Sequence, residues 1–128
     1  MDRKIYMGLF LGIAIVGVII YISMVPATAK VVISGVTDLY GYEIDIACSA
    51  CRAVQGNFLG KNILWRPIQT DEGVKVIASR LGNVKGVSGS GVAIILICDK
   101  GKNLIKIKNA ILVNSNGKKI NGDVKVVY

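Results

Sequence analysis

Residues 36–46 read VTDLYGYEIDI, and from Tyr42 onward the chain alternates with a period of two. Tyr42, Ile44 and Ile46 fall on one side of an extended chain, Glu43 and Asp45 on the other. A helix would spread these side chains around its axis, whereas a strand collects them into one apolar and one wet face. The stretch is therefore a half-buried β-strand. Just upstream, residues 31–36 (VVISGV) form a first β-rich run, and the alternation begins after Thr37-Asp38.

Downstream the same grammar repeats. Gly56 and Gly60 bracket Asn57-Phe58-Leu59 as a short turn-bounded element. Ile63-Leu64-Trp65 follows, and Pro67 makes this run an edge strand or the end of one. Asp71-Glu72-Gly73 turns the chain into residues 74–79 (VKVIAS), which alternate again. The glycine-dense residues 86–91 (GVSGSG) precede the run at 92–98 (VAIILIC), apolar on both faces. A phosphate-cradling loop needs a strand before it and a helix after it. Here a strand follows, so the glycines serve a bulge or a tight crossing. After a turn at 99–103, Ile105 and Ile107 alternate with Lys106 and Lys108. Residues 111–113 form the next run, and Asn116-Gly117 is a strong hairpin turn in which both central residues accept positive φ. Lys118-Lys119-Ile120 returns, and residues 124–128 close the chain. About eight short strands with turn residues between them predict an all-β, two-layer sandwich over residues 31–128.

The other end of the chain has a different character. Residues 5–25 (IYMGLFLGIAIVGVIIYISMV) carry no charge, and about 20 apolar residues suffice to cross a bilayer as a helix. Arg3 and Lys4, in a short cytoplasmic region at 1–4, orient the helix with everything downstream outside. In the linker at 26–30, Ala27-Thr28-Ala29 has the A-x-A form of a signal-peptidase site, with cleavage after Ala29. The apolar run exceeds the usual 7–15 residues or so of a signal peptide, which favours a retained anchor over a cleaved leader. The expectation is a single-pass membrane protein with an extracytoplasmic domain, or a secreted one if the leader is removed.

The chain carries 16 Lys and Arg against 8 Asp and Glu, and all but Arg3, Lys4 and Asp2 fall from residue 30 onward. A basic surface suits an acidic polysaccharide, anionic lipid heads or an acidic protein, and keeps a domain soluble. Nucleic acid is excluded by the compartment and by the scarcity of aromatic stacking platforms. Cys48, Cys51 and Cys98 allow one bridge in an oxidising compartment, with one sulfur left over. The spacing of Cys48 and Cys51 is that of a redox motif, but a strand leading into a helix is missing. The three read as small buried residues or a single local bridge between Cys48 and Cys51. With no histidine in the chain, a zinc site lacks a fourth ligand.

Taken in order, these segments resemble the cohesin domain family. Residues 36–46 are similar to its strand with a "GFQFDL"-type pattern, and Gly56-Asn57-Phe58-Leu59 to its "GDFL" turn. Residues 75–82 and 86–91 resemble its "IAxxR…GVSGSGxLAxIxF" signature, and residues 109–120 its late "LxNxxLxDSNGxxI" hairpin. The resemblance covers most of residues 31–128 and is nearest to archaeal versions. It implies a jelly-roll-like β-sandwich, related in architecture to carbohydrate-binding modules, that docks a dockerin-like partner through one sheet face. There are two departures. Residues 48–52 replace and shorten the family's "YDPxxLxV" loop. The domain also begins one strand late, which implies an unpaired apolar edge near residues 31–33 that could accept a neighbour's strand.

An enzyme is hard to build from these residues. There is no histidine base, and the serines lie in glycine-rich or turn contexts. Glu43 and Asp45 share one strand face, whereas a glycosidase needs carboxyls on opposite sides of its substrate. No cofactor or metal is expected, and Asn116-Gly117 lacks the acidic ligands of a calcium loop. Three non-catalytic readings remain. They are a docking module using a face with Tyr40, Tyr42, Glu43, Asp45, Lys106 and Lys108, a surface-layer or filament subunit joined by strand addition to neighbouring subunits, and a carbohydrate binder stacking sugars on Tyr40, Tyr42 and Trp65.

Overall fold

A chain this rich in β-branched residues and poor in helical periodicity has to satisfy its backbone through pairing between strands. The computed structural model describes residues 27–98 and 105–128. The expected segments at 1–4 and 5–25 and the turn at 99–103 lie outside the described residues. Within them the protein is all-β: no helix is long and apolar enough to cross a membrane. The strands are β1 (Ala27–Ala47), β2 (Cys51–Gln55), β3 (Ile63–Gln69), β4 (Gly73–Arg80), β5 (Val87–Cys98), β6 (Lys106–Asn114), β7 (Lys119–Ile120) and β8 (Asp123–Val127).

β1 organises the rest. A straight strand of 21 residues would run about 70 Å, far beyond a small domain, so it has to bend. Register shifts fall at Val31/Val32, Ile33/Val36 and Val36/Leu39, and Gly35 and Asp38 take positive φ within this bend. The first half of β1 pairs with β5 and β8, the second with β4 and β6. β2 extends the first arm beyond β5, while β3 and β7 extend the second beyond β4 and β6. All pairings are antiparallel. Because β2 lies beside β4 and β8 beside β6, the sheet is nearly closed on itself.

The core fills the inside of this wrap. Val31, Ile33, Leu39, Ile44 and Ile46 from β1 meet Val74 and Val76 from β4 and Ile94 and Leu96 from β5, all fully buried. The alternation expected in residues 42–46 is present, with Tyr42, Ile44 and Ile46 inward. Gly91 is required by packing: a β-carbon there would lie 2.4 Å from the Phe58 ring, which covers the bulged start of β5.

Several expectations change. Residues 31–36 and 42–46 are one continuous strand, since the positive φ of Asp38 is absorbed as a bulge. Residues 27–30, expected as linker, belong to β1, and Ala29 is 2% exposed opposite Leu96. The unpaired edge near residues 31–33 does not exist. Val31 pairs with both Ile94 and Val126, Ile33 with both Gly91 and Val124, and each is 0% exposed. The physical reason is that the chain's own last strand, β8, covers that edge. Residues 48–52, expected as a loop, include the start of β2, whose small Cys and Ala residues carry little strand signal. The hairpin between β6 and β7 takes positive φ only at Gly117, with the Asn114 side chain accepting from the Asn116 and Lys118 amides. That is a type I turn closed by a left-handed glycine.

Candidate functional site

Across the second arm the register sets out three rows on the outward face. Leu64, Ser79, Gly41 and Val113 form the first, and Arg66, Ile77, Glu43 and Ile111 the second. Ile68, Lys75, Asp45 and Asn109 form the third. Residues paired across antiparallel strands share a face, so these side chains stand together. Leu64 is 50% and Ile68 41% exposed, both on the edge strand β3. Lys75 reaches diagonally to Glu43 at 3.6 Å, a half-exposed ion pair in the middle of the face. The surface carries its most exposed apolar side chains along the β3 edge and charges of both signs at its centre, a mixed composition of the kind found in protein contacts.

The six residues expected on one partner face are separated by the structure. Glu43 and Asp45 stand on this outward face. Tyr42 does not: it is 4% exposed, and its hydroxyl donates to the Ala93 carbonyl of the opposite arm at 3.1 Å. Burial raises the pKa of that hydroxyl well above its ordinary value. The correction follows from strand parity, because Tyr42 shares the side of Ile44 and Ile46. Tyr40 is half-buried, and its hydroxyl donates to the Gly82 carbonyl at 2.6 Å. Lys106 and Lys108 are exposed at the start of β6. Lys108 binds the Glu72 carboxylate in the turn before β4, an ion pair that lowers the pKa of Glu72 and raises that of Lys108. Trp65 is half-buried against the core. Sequence reading missed Leu64, Ile68, Ile77 and Ile111. A signal was present in β3, where apolar residues occupy both faces of a strand that ends a sheet.

A second cluster lies where β1 turns into β2. Cys48 and Cys51 are disulfide-bonded with their Cα atoms 6.0 Å apart. Cys98, at the end of β5, pairs in register with Cys51, and their sulfurs are 2.7 Å apart. All three cysteines are buried, and their sulfurs lie within 4.8 Å of one another. Reduced, the three could hold a soft metal ion; bridged, two of the ligands are occupied. Beside them is a surface cleft of about 330 Å³ lined by Cys48, Ser49, Ala50, Cys51 and the turn residues Thr70, Asp71 and Glu72.

At the far end of β1's second half, Asp38 joins three segments. Its Oδ1 accepts the Gly86 amide at 2.6 Å, and its Oδ2 accepts the amide and hydroxyl of Ser115 at 3.2 and 2.6 Å. Its own amide donates to the Ser88 hydroxyl at 3.1 Å. The Ser115 hydroxyl, then the Gly86 amide, hold its carboxyl below the usual range.

No protein-family model, no curated protein and no solved structure matches this chain.

Proposed function

We propose that this protein is a non-catalytic, cohesin-like interaction module, a jelly-roll-type sandwich carried outside the cytoplasm on its N-terminal hydrophobic segment. In this reading residues 5–25 are a retained anchor. The pairing of Ala27, Thr28 and Ala29 with Cys98, Ile97 and Leu96 supports retention, because cleavage after Ala29 would remove these three residues from β1. The partner is another protein, a dockerin-like module, and the contact surface is the outward face of β3, β4, β1 and β6. The observation carrying this reading is that face itself, with Leu64 and Ile68 exposed along β3 beside the Glu43–Lys75 pair. Exposed apolar side chains beside charges of both signs favour a protein partner over a polysaccharide, which would need open aromatic rings. Tyr42 is buried and Trp65 packs inward, so carbohydrate binding ranks below docking.

Strand addition between copies is the alternative, and β3, the longest strand with a single partner among the described residues, is the edge that would serve it. Pro67 lies in that strand and withholds an amide donor, a common guard on exposed edges, which places assembly second.

The test uses the full chain in detergent. Light scattering over a range of concentrations should give one constant mass per chain. Cross-linking in membranes of the source cell should then capture a protein that the double variant Leu64→Asp, Ile68→Asp no longer captures. Val54→Asp, on the other arm, should retain it. Growth into concentration-dependent polymers would replace docking with self-assembly.

A further inference from the structure

Three features compete for a role beyond docking: the outward face of the first arm, the Asp38 junction and the three cysteines. The first arm's face carries Val54, Ile95 and Val32, with nothing to indicate what covers them. The Asp38 junction is satisfied internally by backbone and hydroxyl partners. The cysteines remain, and their arrangement is more than a structural clip requires.

We propose that Cys48, Cys51 and Cys98 form a disulfide-exchange site in which Cys51 is the shared sulfur. A structural bridge needs two cysteines, and β2 and β5 bring a third directly against one of them. In register Cys51 stands opposite Cys98, a cross-strand placement compatible with a bridge, and the 2.7 Å contact sets the Cys98 sulfur in reach of the bonded Cys51. The exchange needs no external oxidant. The Cys98 sulfur, after giving up its proton, attacks Cys51; the Cys51–Cys98 bond forms as the Cys48–Cys51 bond breaks, and the departing Cys48 sulfur takes up a proton. The disulfide count is unchanged and the thiol has moved from the end of β5 to the turn between β1 and β2.

That relocation gives the site an outlet. Cys48 lines the surface cleft together with exposed Ser49 and Ala50. There its thiolate meets the chemical class the site would take, a small disulfide. The cleft's rim carries Asp71 beside the Glu72–Lys108 pair, and the Asp71 carboxylate favours a cationic one. Attack by Cys48 forms a mixed disulfide and releases one thiol of the small molecule.

Trypsin makes the exchange readable. Cys48 and Cys51 fall on one peptide, residues 31–52, and Cys98 on another, residues 86–100. The full chain is held at neutral pH and at about pH 8.5, the pKa of a free cysteine, then quenched in acid with N-ethylmaleimide and mapped by mass spectrometry. The expected result is both species, the looped peptide and the cross-linked pair with maleimide on Cys48, within about tenfold of each other because one sulfur chemistry is being exchanged. Cystamine, a cationic disulfide, should leave its adduct on Cys48 in the cross-linked species. Cys48→Ser should move nearly all bridged protein into the cross-linked pair, and Cys98→Ser should abolish it. Absence of the cross-linked pair from the unsubstituted chain overturns the proposal, whether or not the variants fold. An adduct confined to Cys98 overturns it equally.

Discussion

At one end of β1's second half three sulfurs meet, and at the other a single carboxylate gathers three segments of chain. The sulfur end joins β1, β2 and β5 through a covalent bond and a buried contact. The Asp38 end joins β1 to the start of β5 and to the turn after β6 through hydrogen bonds to a charged group. Both fasten the same strand to β5, yet they answer to different solution conditions. A disulfide end responds to reductant and a carboxylate end to acid. A nearly closed sheet built on one long strand has its weak points where that strand bends and where it ends, and those are the points tied down here.

The largest expected effect comes from breaking the middle that both ends share. Ile44 is fully buried between them, and Ile44→Ala should cost about 2–5 kcal/mol of unfolding free energy by denaturant titration, with loss of cooperativity if either end then opens alone.

Removing one end should cost less. Asp38→Ala deletes an acceptor of three hydrogen bonds and leaves positive φ on a residue that tolerates it poorly, so Tm should fall, with Asp38→Asn falling less. Acid should act on the same end. The folded carboxyl has a lower pKa than the unfolded one, so its contribution is complete above the ordinary aspartate pKa, about 3.8, and is lost as pH falls toward the depressed folded value. Asp38→Asn should flatten that part of the pH–stability curve. An unchanged acid limb would mean that other carboxylates govern it.

Tyr42→Phe sharpens the comparison from the inside, since the Tyr42 hydroxyl ties β1 to β5 midway. The Ala93 carbonyl also accepts the Gly56 amide and is not left bare, so the loss should be only about 1 kcal/mol by thermal unfolding. The smallest effect is expected at Glu72→Gln. It breaks the pair with Lys108 on the exposed rim beside the sulfur end and should leave Tm within error, with any change disappearing at high salt.

Much of this architecture was legible in the chain. Alternation at Tyr42, Ile44 and Ile46 and at Val74 and Val76 fixed the inward faces, because a period of two has only one buried side. Pro67 marked β3 as an edge. What failed to show was β2: Cys51 and Ala53 are small, and the strand owes its place to pairing with β5. The continuity of β1 was not legible either: residues 31–36 and 42–46 read as separate runs parted near Thr37-Asp38, and only the partners Gly86, Ser88 and Ser115 make Asp38 a junction within a strand. At the candidate face, Glu43 and Asp45 were legible from parity. Tyr42 was misplaced by giving an aromatic more weight than the same parity that put Ile44 inside.

The sequence by itself determined that the described part of this protein is all-β and which side chains of residues 44–46 and 74–79 turn inward, since both depend on local periodicity and turn residues. Tertiary structure alone decided which strands are neighbours. β8 closes the edge beside residues 31–33, β3 brings Leu64 and Ile68 into line with Glu43, and β5 carries Cys98 to Cys51 across 47 residues of chain. Pairing partners are chosen by the fit of whole faces over long separations, and no local window of sequence contains that fit.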